Sequence, residues 1–286
     1  MSCSVCPRNC KSRQSGFCGV GENIIVGRIA PHMWEEPVIS GKNGSGTVFF
    51  SGCNLRCVFC QNRVISKELV GKAVSPEELN DKICHMIESG VHNINFVTPT
   101  HYASFLADFL SRYHYPVPIV YNCSGYESVS SLEALRGKVD IFLPDFKYSD
   151  DAPAVRYSSA PHYVHTARMA LEKMYELVGD TVFDSNGMLT KGIIVRHLML
   201  PGHIENTLGV IDMFEEFSRH KKVLFSLMSQ YTPCGDMSAF DTLNRKLTAQ
   251  EYDKALGYLE LLGIDGFCQE LSSAAQIYIP PFGNQL

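Results

Sequence analysis

A sheet of parallel strands joined by crossover helices, an α/β fold, is what this sequence of 286 residues predicts. Three observations carry it. From Thr47 onward, short runs rich in Val, Ile and Phe alternate with longer segments whose apolar residues recur at helical spacing. Roughly six such strand–helix pairs follow one another, the pattern of parallel strands with right-handed crossovers. Polar and titratable residues gather just past the strand ends, where a parallel barrel collects its active site. Closed and doubly wound sheets both satisfy this alternation.

The elements follow in order. Thr47-Val48-Phe49-Phe50 is an apolar run that reads as a buried strand. Ser75-Pro76-Glu77-Glu78 opens a helix, with Ser as N-cap, Pro in the first turn and Glu closing a capping box, and the helix runs to Ser89-Gly90. Ile94-Asn95-Phe96-Val97 is the next strand, and the residues around Tyr102–Tyr113 form the next helix. Pro118-Ile119-Val120-Tyr121 and Val139-Asp140-Ile141-Phe142-Leu143 are strands flanking a short helix through Leu132–Leu135. Ala167, Ala170, Leu171, Met174 and Leu177 mark another helix by their spacing. Gly192–Met199 and Val223–Met228 are strands, with a helix over Ile204–Phe217 between them. Thr248-Ala249-Gln250-Glu251 is a second capping box, and Gly266-Phe267-Cys268-Gln269 a last short strand.

The N-terminal fifth is different. Cys3, Cys6, Cys10 and Cys18 stand at C-x2-C-x3-C-x7-C spacing in a polar segment with little apolar periodicity before Ile24-Ile25-Val26. A segment unable to bury its own core often needs a metal staple. Four thiols suffice for structural zinc or for a second iron–sulfur cluster, and unliganded thiols are the third alternative. Residues 31–46, with Pro31, Pro37 and three glycines, read as a connecting loop in which Trp34-Glu35-Glu36 makes a packing contact. Seven of the eleven cysteines lie in the first 60 residues.

Composition limits the function. A hydrophobic content of 45 % with 19 % charged residues is globular. Net charge is −5 with no long basic block, which argues against a nucleic-acid partner. No run approaches the ~18 apolar residues of a membrane span. The first residues lack the charged-then-apolar layout of a secretory leader, so a cytoplasmic location is expected. An odd cysteine count in that setting favours metal or catalytic chemistry over disulfides.

The sharpest motif is Cys53-x3-Cys57-x2-Cys60, directly after the first strand of the alternation. Thiolates bind soft metals, and spacings this short let one loop wrap one metal centre. Three ligands leave a fourth coordination position open, and an open position is where a substrate can bind. The alternative from the residues is zinc completed by a distant side chain.

This motif, with Phe59 before its last cysteine, resembles the radical S-adenosylmethionine (SAM) enzymes. Its context from Gly44 to Cys57 is similar to the glycyl-radical-enzyme activases of the pyruvate formate-lyase activating enzyme-like branch. Val97–Tyr102, Asn122–Tyr126, Leu143–Tyr148 and Arg196–Gly202 extend the resemblance over nearly the whole chain. The resemblance implies two regions, residues 1–46 as a Cys-rich extension and connecting loop and residues 47–286 as an incomplete (β/α)6 barrel with a C-terminal tail. It implies that Cys53, Cys57 and Cys60 hold a [4Fe–4S] cluster whose fourth iron SAM chelates. Reductive cleavage of SAM then gives a 5′-deoxyadenosyl radical that abstracts hydrogen from a substrate. It also implies an electron donor such as flavodoxin or ferredoxin, anaerobic chemistry, and a glycyl radical enzyme as protein substrate.

Several strand-end residues match the family's SAM-binding positions. Asp145-x-Lys147 lies where the family has groups beside the SAM carboxylate, and Phe59 where an aromatic packs near the adenine. Both side chains of Asp145-x-Lys147 face one side, being two apart along a strand end, and a buried salt bridge is the plainer reading of the pair. Arg196 also suits a carboxylate. Arg196 and His197 point to opposite faces of a regular strand, so at most one meets the site. The activases carry a Gly-Gly-Glu-Pro-like segment after the second strand, whereas this chain has Val97-Thr98-Pro99-Thr100-His101. Thr98 and Thr100 then supply oxygens in place of a carboxylate, and Asn122 stands where the activases have an Asp. The competing classes are a non-catalytic Fe–S electron carrier or redox sensor, a radical SAM enzyme acting on a small molecule, and a zinc-scaffolded interaction protein.

Overall fold

The computed structural model of the protein describes residues 2–271 and Phe282. The C-terminal tail assigned to the second region lies, Phe282 apart, outside the described residues. In chain order the elements are β1 (Ile25–His32), α1 (Pro37–Ser40), β2 (Ser45–Phe50), α2 (Arg63–Ser66), β3 (Lys72–Ala73), α3 (Pro76–Glu88) and β4 (Ile94–Val97). Then come α4 (Ala103–Arg112), β5 (Ile119–Cys123), α5 (Val129–Glu133), β6 (Ile141–Pro144), α6 (Asp151–Ser158), α7 (Tyr163–Val178) and β7 (Val182–Phe183). The last are β8 (Leu189–Leu198), α8 (Ile204–Ser218), β9 (Leu224–Met228), α9 (Ala249–Leu262) and β10 (Gly266–Cys268).

One sheet has the order β10-β9-β8-β6-β5-β4-β2-β1-β3, parallel from β2 through β10. Each parallel strand adds beside its predecessor and the order never reverses. That excludes the doubly wound alternative, whose order reverses at a switch point. The sheet curls into an incomplete (β/α)6 barrel of β2, β4, β5, β6, β8 and β9, with short β10 added and no pairing between β10 and β2.

The two faces separate by the period of two along each strand. Outward residues such as Phe96, Tyr121, Phe142, Val195 and Phe225 pack in one core with Leu79 and Ile83 of α3, Phe109 of α4, Met174 of α7 and Val210 of α8. Ile83, Phe96, Phe109, Phe142 and Val210 are fully buried, so truncating a large one to Ala costs about 2–5 kcal/mol. Inward residues Val120, Ile141, Leu143 and Ile194 meet Ile39 of α1 in a smaller apolar cluster. Phe49, Ile65 and Val97 form a third, against which the Phe282 ring stands 5.5 Å from that of Phe49.

Both capping boxes form: Ser75 accepts from Glu78 N–H and Thr248 from Glu251 N–H, with each Glu side chain returning to the cap backbone. Several elements depart from the sequence reading, β1 and α6 the longest of them. The segment read as non-periodic and then as loop contains β1, paired antiparallel with β2 from Val26↔Phe50 to His32↔Ser45. Its residues, Ile25-Val26-Gly27-Arg28-Ile29-Ala30-Pro31-His32, do not alternate cleanly, and its pairing is made by tertiary contact. Helix α6 was likewise unmarked, being short and weakly amphipathic, with Pro153 in its first turn.

Candidate active site

The loop after β2 is held from both sides. Arg56 N–H donates to Ser158 O at 3.0 Å and Val58 N–H to Tyr157 O at 2.8 Å, which ties the loop to the end of α6. Asn54, fully buried, donates its amide to Tyr126 O at 2.7 Å. On the other side Arg8 donates to Asn54 O at 2.7 Å while stacking over Phe17 at 3.8 Å. Gly52 has φ +84°, and a Cβ there would stand 2.8 Å from the Cys18 carbonyl oxygen. The N-terminal segment therefore rests directly on the cysteine loop.

Cys53, Cys57 and Cys60 line one cavity of about 760 Å³. Each sulfur has a hydrogen-bonding neighbour: Leu55 N–H donates to Cys53 Sγ at 3.3 Å, Ser158 O–H to Cys57 Sγ at 3.0 Å, and Ser66 Oγ lies 3.3 Å from Cys60 Sγ. Burial pushes the Cys53 and Cys57 thiols up, so they ionise only when a cation takes the proton's place. Thiols of this kind, with donors already set on their sulfurs, fit an iron–sulfur cluster. Among the described residues no three Cys, His, Asp or Glu side chains stand close enough to hold a single metal ion. A cluster does not require that, because its cysteines bind different irons. All eleven cysteines are free thiols.

Beyond the cysteines, a chain of charges crosses the barrel. Lys147 Nζ donates to Asp145 Oδ2 at 2.5 Å. Arg196 holds Asp145 Oδ1 through Nε at 3.1 Å, Asn122 Oδ1 through Nη2 at 2.5 Å and Glu35 Oε2 through Nη1 at 3.1 Å. Asn95 and Asn122 each donate to Glu35 Oε1 at 3.2 Å. Burial favours neutral Lys147, yet Asp145 beside it, followed by Cys57, raises its proton affinity overall. Burial likewise pushes Asp145 up, but Lys147 and Arg196 outweigh it and hold the carboxyl below its usual range. For Glu35 and Glu36 burial dominates, and both are raised despite Arg196.

The predicted residues divide accordingly. Phe59, Thr98, Asn122, Asp145, Lys147 and Arg196 line the cavity with the three cysteines. Phe59 packs against Tyr231 with ring centroids 6.1 Å apart. Thr100 faces away: its hydroxyl donates to Glu127 at 2.6 Å in a buried pair that also takes the Tyr121 hydroxyl at 3.1 Å. Of the Arg196–His197 pair, Arg196 faces in. His197 faces the helices, with Phe146 O at 2.8 Å and Thr207 Oγ1 at 3.0 Å, and burial lowers it to about 4. Glu35 and Glu36, read as a packing contact, stand inside the cavity. No spacing marks them, since their loop precedes β2 and only the curled sheet brings it to β4, β5 and β8.

Cys3 and Cys10 lie together through a backbone bridge, Cys3 N–H to Cys10 O at 2.8 Å. Cys6 is buried and its thiol is raised to about 12, chiefly by burial, with Cys10 and Cys18 near enough to add to it. Arg8 links this segment to the motif loop through Asn54 O.

A family model described as the Radical SAM superfamily matches residues 47–203. The uncharacterized protein MJ0674 of Methanocaldococcus jannaschii is 29 % identical over 277 residues, covering 92 % of this chain and 76 % of that protein. The FeFe-hydrogenase maturase HydG from Carboxydothermus hydrogenoformans aligns with a TM-score of 0.55 at 16 % identity, over 82 % of this chain and 56 % of that one. SuiB of Streptococcus suis, bound to S-adenosylmethionine, gives 0.51 at 11 % identity, over 78 % of this chain and 49 % of that one. This chain thus spans about half the length of those two solved proteins, and the likeness to them is one of fold.

Proposed function

Because the chain belongs to the radical SAM superfamily, we propose that Cys53, Cys57 and Cys60 hold a [4Fe–4S] cluster and that the cavity beside them binds SAM. When bound and reduced, the cluster supplies the electron that cleaves SAM to a 5′-deoxyadenosyl radical able to abstract hydrogen. The observation that carries this reading is the convergence of three hydrogen-bonded thiols with Lys147, Asp145 and Phe59 on one cavity. Lys147 presents an ammonium between Asp145 and Cys57, where a carboxylate brought by SAM would meet it. Arg196 fixes Asp145 from the other side, so the Lys147 amine is held in place before ligand arrives. Phe59 offers an apolar wall for a planar base, and Thr98 and Asn122 offer hydrogen-bonding groups at the same mouth. Thr100, engaged with Glu127, positions the turn instead.

The substrate is a protein or peptide in this proposal, with installation of a glycyl radical on a partner enzyme as its finer form. The similarity of residues 44–57 to the activases supports that form, and a low-potential donor such as flavodoxin or ferredoxin would deliver the electron. Among the described residues no helix is long and apolar enough to cross a membrane, and a cytoplasmic setting suits the free thiols. Residues 1–46 serve, in the same proposal, as an extension of the barrel unit, and Cys3, Cys6, Cys10 and Cys18 as a separate structural or electron-delivery centre. The test is anaerobic iron and sulfide quantification of the reconstituted protein and of Cys57→Ala, followed by reductive SAM cleavage. Iron and sulfide should fall sharply in the variant; unchanged content removes the cluster assignment. Protein that holds the cluster but consumes no SAM would be an electron carrier.

A further inference from the structure

Five charged residues line the cavity, and one of them makes no ion pair among the described residues. Lys147, Asp145, Arg196 and Glu35 alternate in sign and are joined by hydrogen bonds. Glu36 is the fifth. It is 6 % exposed, and its Oε2 has no hydrogen-bond partner among the described residues. Arg196 gives its hydrogen bonds to Asp145, Asn122 and Glu35. Beside Glu36 stands Ser226 of β9, 1 % exposed, the register neighbour of Arg196. Its hydroxyl is close enough to act on the Glu36 carboxyl but makes no hydrogen bond of proper geometry, and its Oγ is also unpartnered. Gln269, farther along the wall, adds a third buried oxygen without a partner.

From this arrangement we infer that Glu36 and Ser226 form a subsite for an aliphatic ammonium group carried by the substrate. Buried polar oxygens without partners are costly, so the site favours a ligand that brings donors to the Glu36 carboxyl and the Ser226 lone pairs. A primary ammonium brings three on a compact charge, which suits acceptors arriving from separate elements; a guanidinium needs acceptors in one plane. The positive charge also balances a cavity lined by three carboxylates, Glu35, Glu36 and Asp145, against two cations, Lys147 and Arg196. The order along the charged chain assigns the ammonium to the substrate and not to SAM. Cys57 is influenced by Lys147 and Asp145, whereas Glu36 is influenced by Arg196 and Glu35 at the other end. The inference rests on the radical SAM reading in calling the bearer of the ammonium a substrate and in placing SAM at the Lys147 end.

Trp34, two residues before Glu36 and lining the same cavity, is the chain's single tryptophan. Its emission therefore comes from one position, in the loop that carries Glu36. The anaerobic holoprotein is titrated with n-butylammonium chloride, with 1-butanol and potassium chloride as controls. A saturable change with butylammonium only is expected, weakened roughly tenfold or more by Glu36→Gln and less by Ser226→Ala. Saturating SAM should leave the titration unchanged. An equal response to 1-butanol, insensitivity to both substitutions, or displacement by SAM each overturns the inference. If Glu36→Gln does not fold, Ser226→Ala carries the comparison. SAM cleavage is measured on the same preparations: its absence with ammonium binding intact would defeat the proposed activity and leave the subsite standing.

Discussion

Replacing Glu127 by Gln should change how the stability of this protein depends on pH. Glu127 is 2 % exposed and receives hydrogen bonds from Thr100 and Tyr121. Those bonds favour the carboxylate, but burial outweighs them and raises the group from 4.5 to about 7. In the unfolded chain the carboxyl loses its proton near its ordinary value, while the folded protein holds it until about neutrality. Between those two points the folded state binds the extra proton, so stability falls as pH rises. The stabilisation is fully present below about pH 4.5 and is lost by pH 8, a loss of roughly 3 kcal/mol for this one group. Glu127→Gln has nothing to titrate. Turning one hydroxyl to accept from the amide costs about 1 kcal/mol, at every pH alike. Urea unfolding of both proteins at pH 5, 6.5 and 8 should show a wild-type decline that the variant lacks by roughly that amount. Parallel curves for the two proteins would refute the reasoning, and would mean that Glu127 is ionised throughout.

Lys147→Met keeps the apolar stem and removes the amine from Asp145, which retains Arg196 at 3.0 Å. SAM affinity should fall roughly tenfold or more while iron content is kept; unchanged affinity with lower stability would make Lys147 a structural partner of Asp145 only. Arg196→Lys preserves charge but not the fork that reaches Asp145, Asn122 and Glu35 together. A stability loss of about 1–3 kcal/mol is expected by chemical denaturation, and a loss within error would show those contacts to be weak. The N-terminal thiols are best tested by Cys6→Ser with Cys10→Ser, since deleting residues 1–30 would also remove most of β1. The iron bound at Cys53, Cys57 and Cys60 should survive; loss of all iron from folded protein would mean that the two groups share one site.

Much of this molecule is legible locally. The capping boxes at Ser75 and Thr248 declare their helices because the bonds that start a helix lie within four residues. Apolar runs such as Ile94–Val97 declare strands by burial on both faces. The cysteine loop is legible for the same reason: its ligands are neighbours in sequence. What the sequence left open was everything that depends on closure. Sequential strand addition, not alternation, separates the barrel from the doubly wound sheet. Strand parity said that Arg196 and His197 part company, but only the curled sheet puts Arg196 inside and His197 against α8. Glu127 would be read in sequence as a solvated charge, and it is buried because the turn after β5 folds beneath Thr100. Glu35 and Glu36 sit in a loop with no period. Their role was set when β4, β5, β8 and β9 converged around them, a meeting that joins Glu35 to Arg196 across 161 positions and that no local pattern encodes.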